Sequence, residues 1–353
     1  MKKLKTSLLH VLGMSFVIGM SSSAFAEIVM NAEPSQSGQG NITWSSAEAG
    51  QLLNQDVDSF SDEPSPQGSV SVTTSVRSGS ALANSIPVPA KTVQIYDTQS
   101  YAQQPSVSAR AALVMDANTG EVLYSKNANG VYPIASITKL MTAVVIADAR
   151  LNMNETITLQ QGDFSCSGCK SSSSTLRAGD SMNRAEVLLF ALMKSENPAA
   201  SALARTYPGG RAAFYSAMNA KAKALGMSST HYIESTGLHP SNVSSARDLG
   251  ILVNAASQYG LIRQFSTTPS YNFNLGYRVL QSNNTNALVR NGGYNINISK
   301  TGFINEAGRC VVMHTTLNNR PVAVVLLGEP SSQQRTTDAT RLMNWVSNLP
   351  KRI

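Results

Sequence analysis

The sequence predicts an α/β chain of the α+β kind: an antiparallel sheet flanked by helices, with a mostly helical subdomain inserted between its first and last strands. Three observations predict it. Apolar strand-like runs lie at both ends of the ordered stretch, "ARAALVMDANTGEVLYSKNA" early and "INISKTGFI", "GRCVVMHTTL" and "RPVAVVLLG" late. The long interval between them carries helical patterns. One further helix, "TTDATRLMNWVSNL", follows the last strand.

Two segments precede that fold. Lys2, Lys3 and Lys5, an apolar run and the box Ala24-Phe25-Ala26 read as a secretory signal peptide over residues 1–26. The run is too short and too interrupted by Ser and Gly for a membrane span, and no Cys follows the box to carry a lipid. An exported protein with no stable membrane anchor after cleavage is expected. Residues 27–105 are rich in Ser, Pro, Gln, Gly and Thr and cannot bury enough apolar surface to offset ordering entropy, so they read as a disordered linker. Within it, "ITWSSAEAGQLLNQ" around Trp44 reads as solvated chain or a short docking motif. Order is expected from Ser106 to Ile353.

Charge divides along the same boundaries. The chain of 353 residues has a formal net charge of +7, and +4 once the three leader lysines are removed. In the linker Arg77 and Lys91 face eight acidic residues, a local −6, which leaves +10 on the folded part. A basic surface attracts anionic ligands, but export removes nucleic acid as a partner.

In the ordered part, two strands meet at a turn through Asn118-Thr119-Gly120. "PIASITKLMTAVVIADAR" (133–150) is a helix apolar almost all the way round, the pattern of a core helix. "SMNRAEVLLFALMKSEN", "PAASALARTY", "GRAAFYSAMNAKAKALG" and "SARDLGILVNAASQYG" are further helices, the third stopped by Gly226. Strands resume after residue 270, the last two joined at Asn318-Asn319. Cys166 and Cys169, in an oxidising compartment, are expected to form a local disulfide, half a zinc site being the alternative. No metal or other cofactor is expected. Cys310 reads as a buried small hydrophobe, His314 as structural, and Met218 and Met227 as core.

The chemistry starts from one anomaly. Lys139 sits inside the core helix, one turn after Ser136. Residues three apart share a helix face, and burial depresses an amine pKa. A neutral Lys139 can take the proton of the Ser136 hydroxyl and make it a nucleophile. The backbone N–H of Ser136, in the first turn, is free to meet a developing oxyanion. Ser-x-x-Lys is short enough to occur about once by chance in such a chain, and Ser167 with Lys170 is such a match in a loop. Two other elements separate the cases. Ser195-Glu196-Asn197 lies at a junction of two helices, and Lys300-Thr301-Gly302 on a strand. Ser195 can relay a proton, Asn197 can hold an amide carbonyl or position Lys139, and Lys300 adds positive charge. Gly302 lets a peptide pair along the strand edge, and the Phe303 N–H can complete an oxyanion hole. No G-x-S-x-G elbow accompanies His231 or His239, so a Ser-His-Asp triad is not supported.

The three motifs in this order resemble the penicillin-interacting active-site serine family, with its D,D-peptidases and class A β-lactamases. The stretches "PIASITKLMTAVVIADARL", "LLFALMKSENPAASALARTYPGG", "STGLHPSNVSSARDL" and "SKTGFINEAGRCVVM" are most similar to D-alanyl-D-alanine endopeptidases of the penicillin-binding protein 7 type. The resemblance implies a β-lactamase/transpeptidase-like fold, a periplasmic location, and hydrolysis of D-Ala–diaminopimelate crosslinks in peptidoglycan with some D,D-carboxypeptidase action. It implies an acyl-enzyme on Ser136, with Lys139 as base and Ser195, Asn197, Lys300, Thr301, Gly302 and Phe303 around it. β-Lactams would acylate the same serine. Glu196 stands where many carboxypeptidase relatives carry Gly, which favours the endopeptidase subgroup. Arg335, before the last helix, is a candidate for the substrate carboxylate, or else a surface residue. After Lys300 there is room for two strands and a helix, so no extra β-domain is expected. A serine β-lactamase and a non-catalytic peptidoglycan-binding scaffold are the alternatives. The first wants E-x-x-L-N after Ser195, whereas Glu186-x-x-Leu189 precedes it and runs into Phe190.

Overall fold

A computed structural model describes residues 103–169 and 172–350. The leader, Trp44 and nearly all of the linker lie outside the described residues. In chain order the strands are β1 (Ala111–Asp116), β2 (Val122–Lys126), β3 (Tyr132–Pro133), β4 (Thr156–Thr158), β5 (Ser181–Asn183), β6 (Val243–Ser244), β7 (Ser270–Asn274), β8 (Val279–Asn283), β9 (Ile296–Ile304), β10 (Gly308–Leu317) and β11 (Arg320–Glu329). The helices are α1 (Thr138–Asp148), α2 (Arg184–Leu189), α3 (Asn197–Arg205), α4 (Gly210–Ala224), α5 (Ala246–Ala256), α6 (Gly260–Thr267), α7 (Ala287–Asn291) and α8 (Ser332–Ser347).

Five strands form one antiparallel sheet in the order β2-β1-β11-β10-β9. First and last strands therefore meet in the middle of the sheet, and the helical interval is an insertion, as the order of patterns predicts. Alternation along the strands sorts side chains to two faces. Leu113, Met115, Val312, Val325 and Leu327 join the core under the helical insertion. Ala112, Val114, Val311, Met313, Val324 and Leu326 pack instead on Leu342, Met343, Trp345 and Val346 of α8.

Helix α1 runs through the larger core, with every residue from Thr138 to Ala147 buried. Val144, Val145 and Ile146 are mediocre helix formers, at a cost of a few tenths of a kcal/mol each. Burying each such side chain returns about 1.5–3 kcal/mol, so packing decides the conformation.

The structure departs from the sequence pattern at three places. "SMNRAEVLLFALMK" is not one helix: β5 pairs with β4, Asn183 caps α2, and residues Phe190–Lys194 widen into a π turn. Helix α6 follows α5 across a break at Tyr259, its apolar residues too few to announce it, and α7 is a single short turn after the Asn286 cap. The last helix starts at Ser332, because the Ser331 side chain accepts from the Gln334 N–H.

Candidate active site

Ser136 does not lie on α1 itself but on a 3₁₀ turn, Ala135–Ile137, that leads into it. Ala135 holds φ at 48°, a left-handed conformation that costs a non-glycine residue about 1 kcal/mol or more. Two glycines make room for this turn. A Cβ on Gly302 would lie 3.0 Å from both the Ile134 carbonyl oxygen and the Ser136 nitrogen. One on Gly237, where φ is 82°, would lie 1.9 Å from the Ala135 carbonyl oxygen and 2.9 Å from the Ser136 nitrogen. The nucleophile's amide is thus bracketed by two backbones that approach it closely. One of them is β9, the edge strand of the large sheet.

Lys139 Nζ is 3.0 Å from Ser136 Oγ, 2.6 Å from Asn197 Oδ1 and 2.6 Å from the Thr236 carbonyl oxygen. Burial lowers its pKa to about 7, against the pull of the Glu234 and Glu196 carboxylates, which favour the ammonium. On the opposite side Lys300 Nζ donates to Ser195 Oγ at 2.8 Å and to the Thr301 carbonyl at 2.9 Å. Ser195 reaches it from a left-handed conformation (φ 68°) at the end of the π turn, a common device for aiming a functional side chain. Thr301 Oγ1 bonds Thr285 Oγ1 at 2.6 Å.

Lys300, like Lys139, is buried. Burial, then the charges of Lys139 and Arg335, hold its pKa well below the ordinary lysine value. Two buried amines in one site oppose each other's protonation.

Phe303 pairs with Arg309 of β10, and its half-exposed ring lies 3.9 Å beneath that guanidinium. Arg335 falls inside α8 rather than before it. It is buried, with Nη1 3.5 Å from the Cys310 carbonyl, and is not a surface residue. Its charge bears on Lys300, which puts it within electrostatic reach of the site.

The remaining expectations resolve simply. Cys166 and Cys169 are joined in a disulfide. Cys310 is a buried free thiol whose pKa burial pushes up to about 11, so it stays protonated. Ser167 lies on the disulfide loop and Lys170 outside the described residues. Glu186 is a capping-box residue at the start of α2. Nδ1 of His239 accepts from the Ser241 N–H, and Nδ1 of His314 faces the Asn297 amide.

A family model of D-alanyl-D-alanine carboxypeptidases, peptidase S11, matches residues 98–331. The chain belongs to this family. Within it, a D-alanyl-D-alanine endopeptidase of Pseudomonas aeruginosa is 48% identical over 250 residues, covering 69% of this chain and 78% of the relative. Another of Escherichia coli K12 is 44% identical over 269 residues, covering 75% and 86%. The DD-transpeptidase of Streptomyces K15 superposes with a TM-score of 0.64 at 29% identity, covering 70% of this chain and all of the other. This chain is accordingly a serine DD-peptidase with a penicillin-binding fold.

One part of this DD-peptidase site was not legible in the motifs. The segment "ESTGL" supplies the Thr236 carbonyl to Lys139 and seats Gly237 against the nucleophile turn. Glu234 holds that segment: its carboxylate accepts from the N–H groups of Thr236 at 2.5 Å and Gly237 at 2.6 Å and from Asn242 Nδ2 at 2.9 Å. The available signal was an acid two residues before a Thr-Gly pair. Beside it a cavity of about 320 Å³ opens between Asn197, Thr236, Tyr215, Arg211 and the disulfide loop.

Proposed function

We propose that this chain hydrolyses the D-Ala–diaminopimelate crosslinks of peptidoglycan through an acyl-enzyme on Ser136, acts on D-Ala-D-Ala ends as a carboxypeptidase, and is acylated by β-lactams. The observation that carries the reading is Lys139 Nζ at 3.0 Å from Ser136 Oγ, with burial holding the amine near neutrality. Lys139 takes the hydroxyl proton as Oγ bonds the D-Ala carbonyl carbon. The oxyanion is met by the Ser136 and Phe303 N–H groups. Ser195, held by Lys300, relays that proton from Lys139 to the leaving amine as the C–N bond breaks, which leaves Lys139 neutral again. Water then attacks the ester, its proton returns through Lys139 to Oγ, and the acid departs. Asn197 holds the peptide carbonyl, Thr301 and Gly302 give the strand edge along which the donor stem lies, and Arg335 supplies charge for the substrate carboxylate.

The leader over residues 1–26, cleaved on export to the periplasm, would bring the enzyme to this substrate with no membrane anchor. Among the described residues no helix is long and apolar enough to cross a membrane. The basic balance of the folded part suits stems that carry carboxylates. The test is digestion of purified crosslinked muropeptides, with Ser136→Ala as control. Release of uncrosslinked monomers by the wild type alone is expected. Loss of terminal D-Ala with crosslinks untouched would reassign it as a carboxypeptidase. Rapid loss of a bound fluorescent penicillin would reassign it as a β-lactamase, and an unlabelled wild type as a scaffold.

A further inference from the structure

Glu196, the middle residue of the second motif, has no part in the chemistry above, yet it is only 5% exposed and its carboxylate is fully engaged. Oε2 accepts from the Ser174 hydroxyl at 2.5 Å. Oε1 accepts from the Thr175 N–H at 3.2 Å and the Thr175 hydroxyl at 2.6 Å. These bonds tie residues 174–175, more than twenty positions earlier in the chain, to the start of α3. Just before them Ser172 Oγ accepts from Asn197 Nδ2 at 2.8 Å. The Asn197 amide is therefore gripped at both ends, by Lys139 at Oδ1 and by Ser172 at Nδ2.

We propose that Glu196 is a positioning residue: by holding Ser174 and Thr175 it sets residues 172–175 as a wall of the cleft, and through Ser172 that wall keeps the Asn197 amide aimed at Lys139 and the incoming peptide carbonyl. The proposal rests on acylation at Ser136. The lost wall would free the amide to rotate about its last torsion, where the two-fold preference is broad and weak. Misplacement of that kind slows a reaction without removing any reacting group.

Glu196 also lies close enough to Lys139 for its charge to favour the ammonium. The groups facing Lys139 are Ser136 Oγ, Asn197 Oδ1 and the Thr236 carbonyl, with Glu234 and Glu196 as nearby anions and Lys300 as the second amine of the site. Glu196→Gln separates wall from charge. Its amide oxygen still accepts both Thr175 donors, and its NH₂ can donate to Ser174 Oγ, which is able to accept. Glu196→Ala removes both. Ser172→Ala, at an exposed position, removes only the grip on Asn197.

The experiment measures the rate at which a fluorescent penicillin acylates the full chain across pH, with labelling stoichiometry and Tm for each variant. Glu196→Ala should slow acylation about tenfold or more at full stoichiometry, and Ser172→Ala should reproduce most of that loss at the wild-type Tm. Glu196→Gln should stay within about threefold of wild type above the Lys139 transition and shift the acid limb to lower pH, because a removed anion no longer favours the ammonium. If Glu196→Ala does not fold, Ser172→Ala decides alone. Ser172→Ala acylated at the wild-type rate overturns the proposal, as does Glu196→Gln as slow as Glu196→Ala. Label persisting in Ser136→Ala would sink the acylation reading instead.

Discussion

Gly237→Ala tests how the nucleophile turn is built. The new Cβ would lie 1.9 Å from the Ala135 carbonyl oxygen and 2.3 Å from its carbon, against a practical minimum of 3.0 Å. Both are backbone atoms, so no side chain can swing away, and the turn must retreat by about 1 Å. The φ of 82° adds the left-handed penalty of about 1–2 kcal/mol. Overpacking adds about 1–3 kcal/mol, for a total loss of about 2–5 kcal/mol. Gly179→Ala is the control: its φ is 93°, but a Cβ there meets nothing within 4 Å, so it should lose only the conformational part. The activity readout is sharper. The Ala135–Ser136 peptide carries the nucleophile's amide, and a shift of about 1 Å at such a centre costs on the order of 10²-fold in rate. Denaturant unfolding gives the two stabilities, and penicillin acylation gives the rate. Equal stability losses in the two variants, with Gly237→Ala acylated as fast as wild type, would refute the packing argument.

Acylation should have an acid limb with its midpoint near the Lys139 pKa of about 7: the base is neutral above it, and the rate falls about tenfold per unit below it. A pH–rate series that is flat from about 5 to 7 would contradict this. Lys139→Arg, which keeps its proton at every accessible pH, should lose acylation throughout, since guanidinium cannot serve as a base. Lys300→Ala removes the opposing amine, so the acid limb should move to higher pH while the maximal rate falls with the loss of the Ser195 contact; an unmoved limb would mean that the two amines do not interact. Away from the site, Glu329 is buried, and burial with the Asp338 carboxylate raises its pKa from 4.5 to about 7. The folded chain thus binds this proton more tightly than the unfolded chain does, and the associated stability, complete below the ordinary value, is lost as pH rises through about 7. Glu329→Gln should flatten the decline of Tm between about pH 4.5 and 7, and an unchanged slope would exclude the assignment.

Local periodicity carried much of the architecture. The two-residue alternation of β1, β10 and β11 already states which side chains share a face, and the all-apolar surface of α1 already states that it belongs in a core. An ammonium on such a helix, three residues from a hydroxyl, is a chemical statement legible without coordinates. What periodicity cannot encode is which distant backbone faces which side chain. The Thr236 carbonyl meets Lys139 across 97 positions and Lys300 meets Ser195 across 105, contacts that exist only once the helical insertion has packed together and onto the sheet. The π turn that aims Ser195 and the tie from Glu196 to Thr175 arise in the same way. Each depends on packing energies that outweigh the local preference of the segment. The residue types needed for the chemistry were thus set by sequence, while their convergence was decided by tertiary structure, because side-chain periodicity is a short-range property and the site is assembled from segments far apart in the chain.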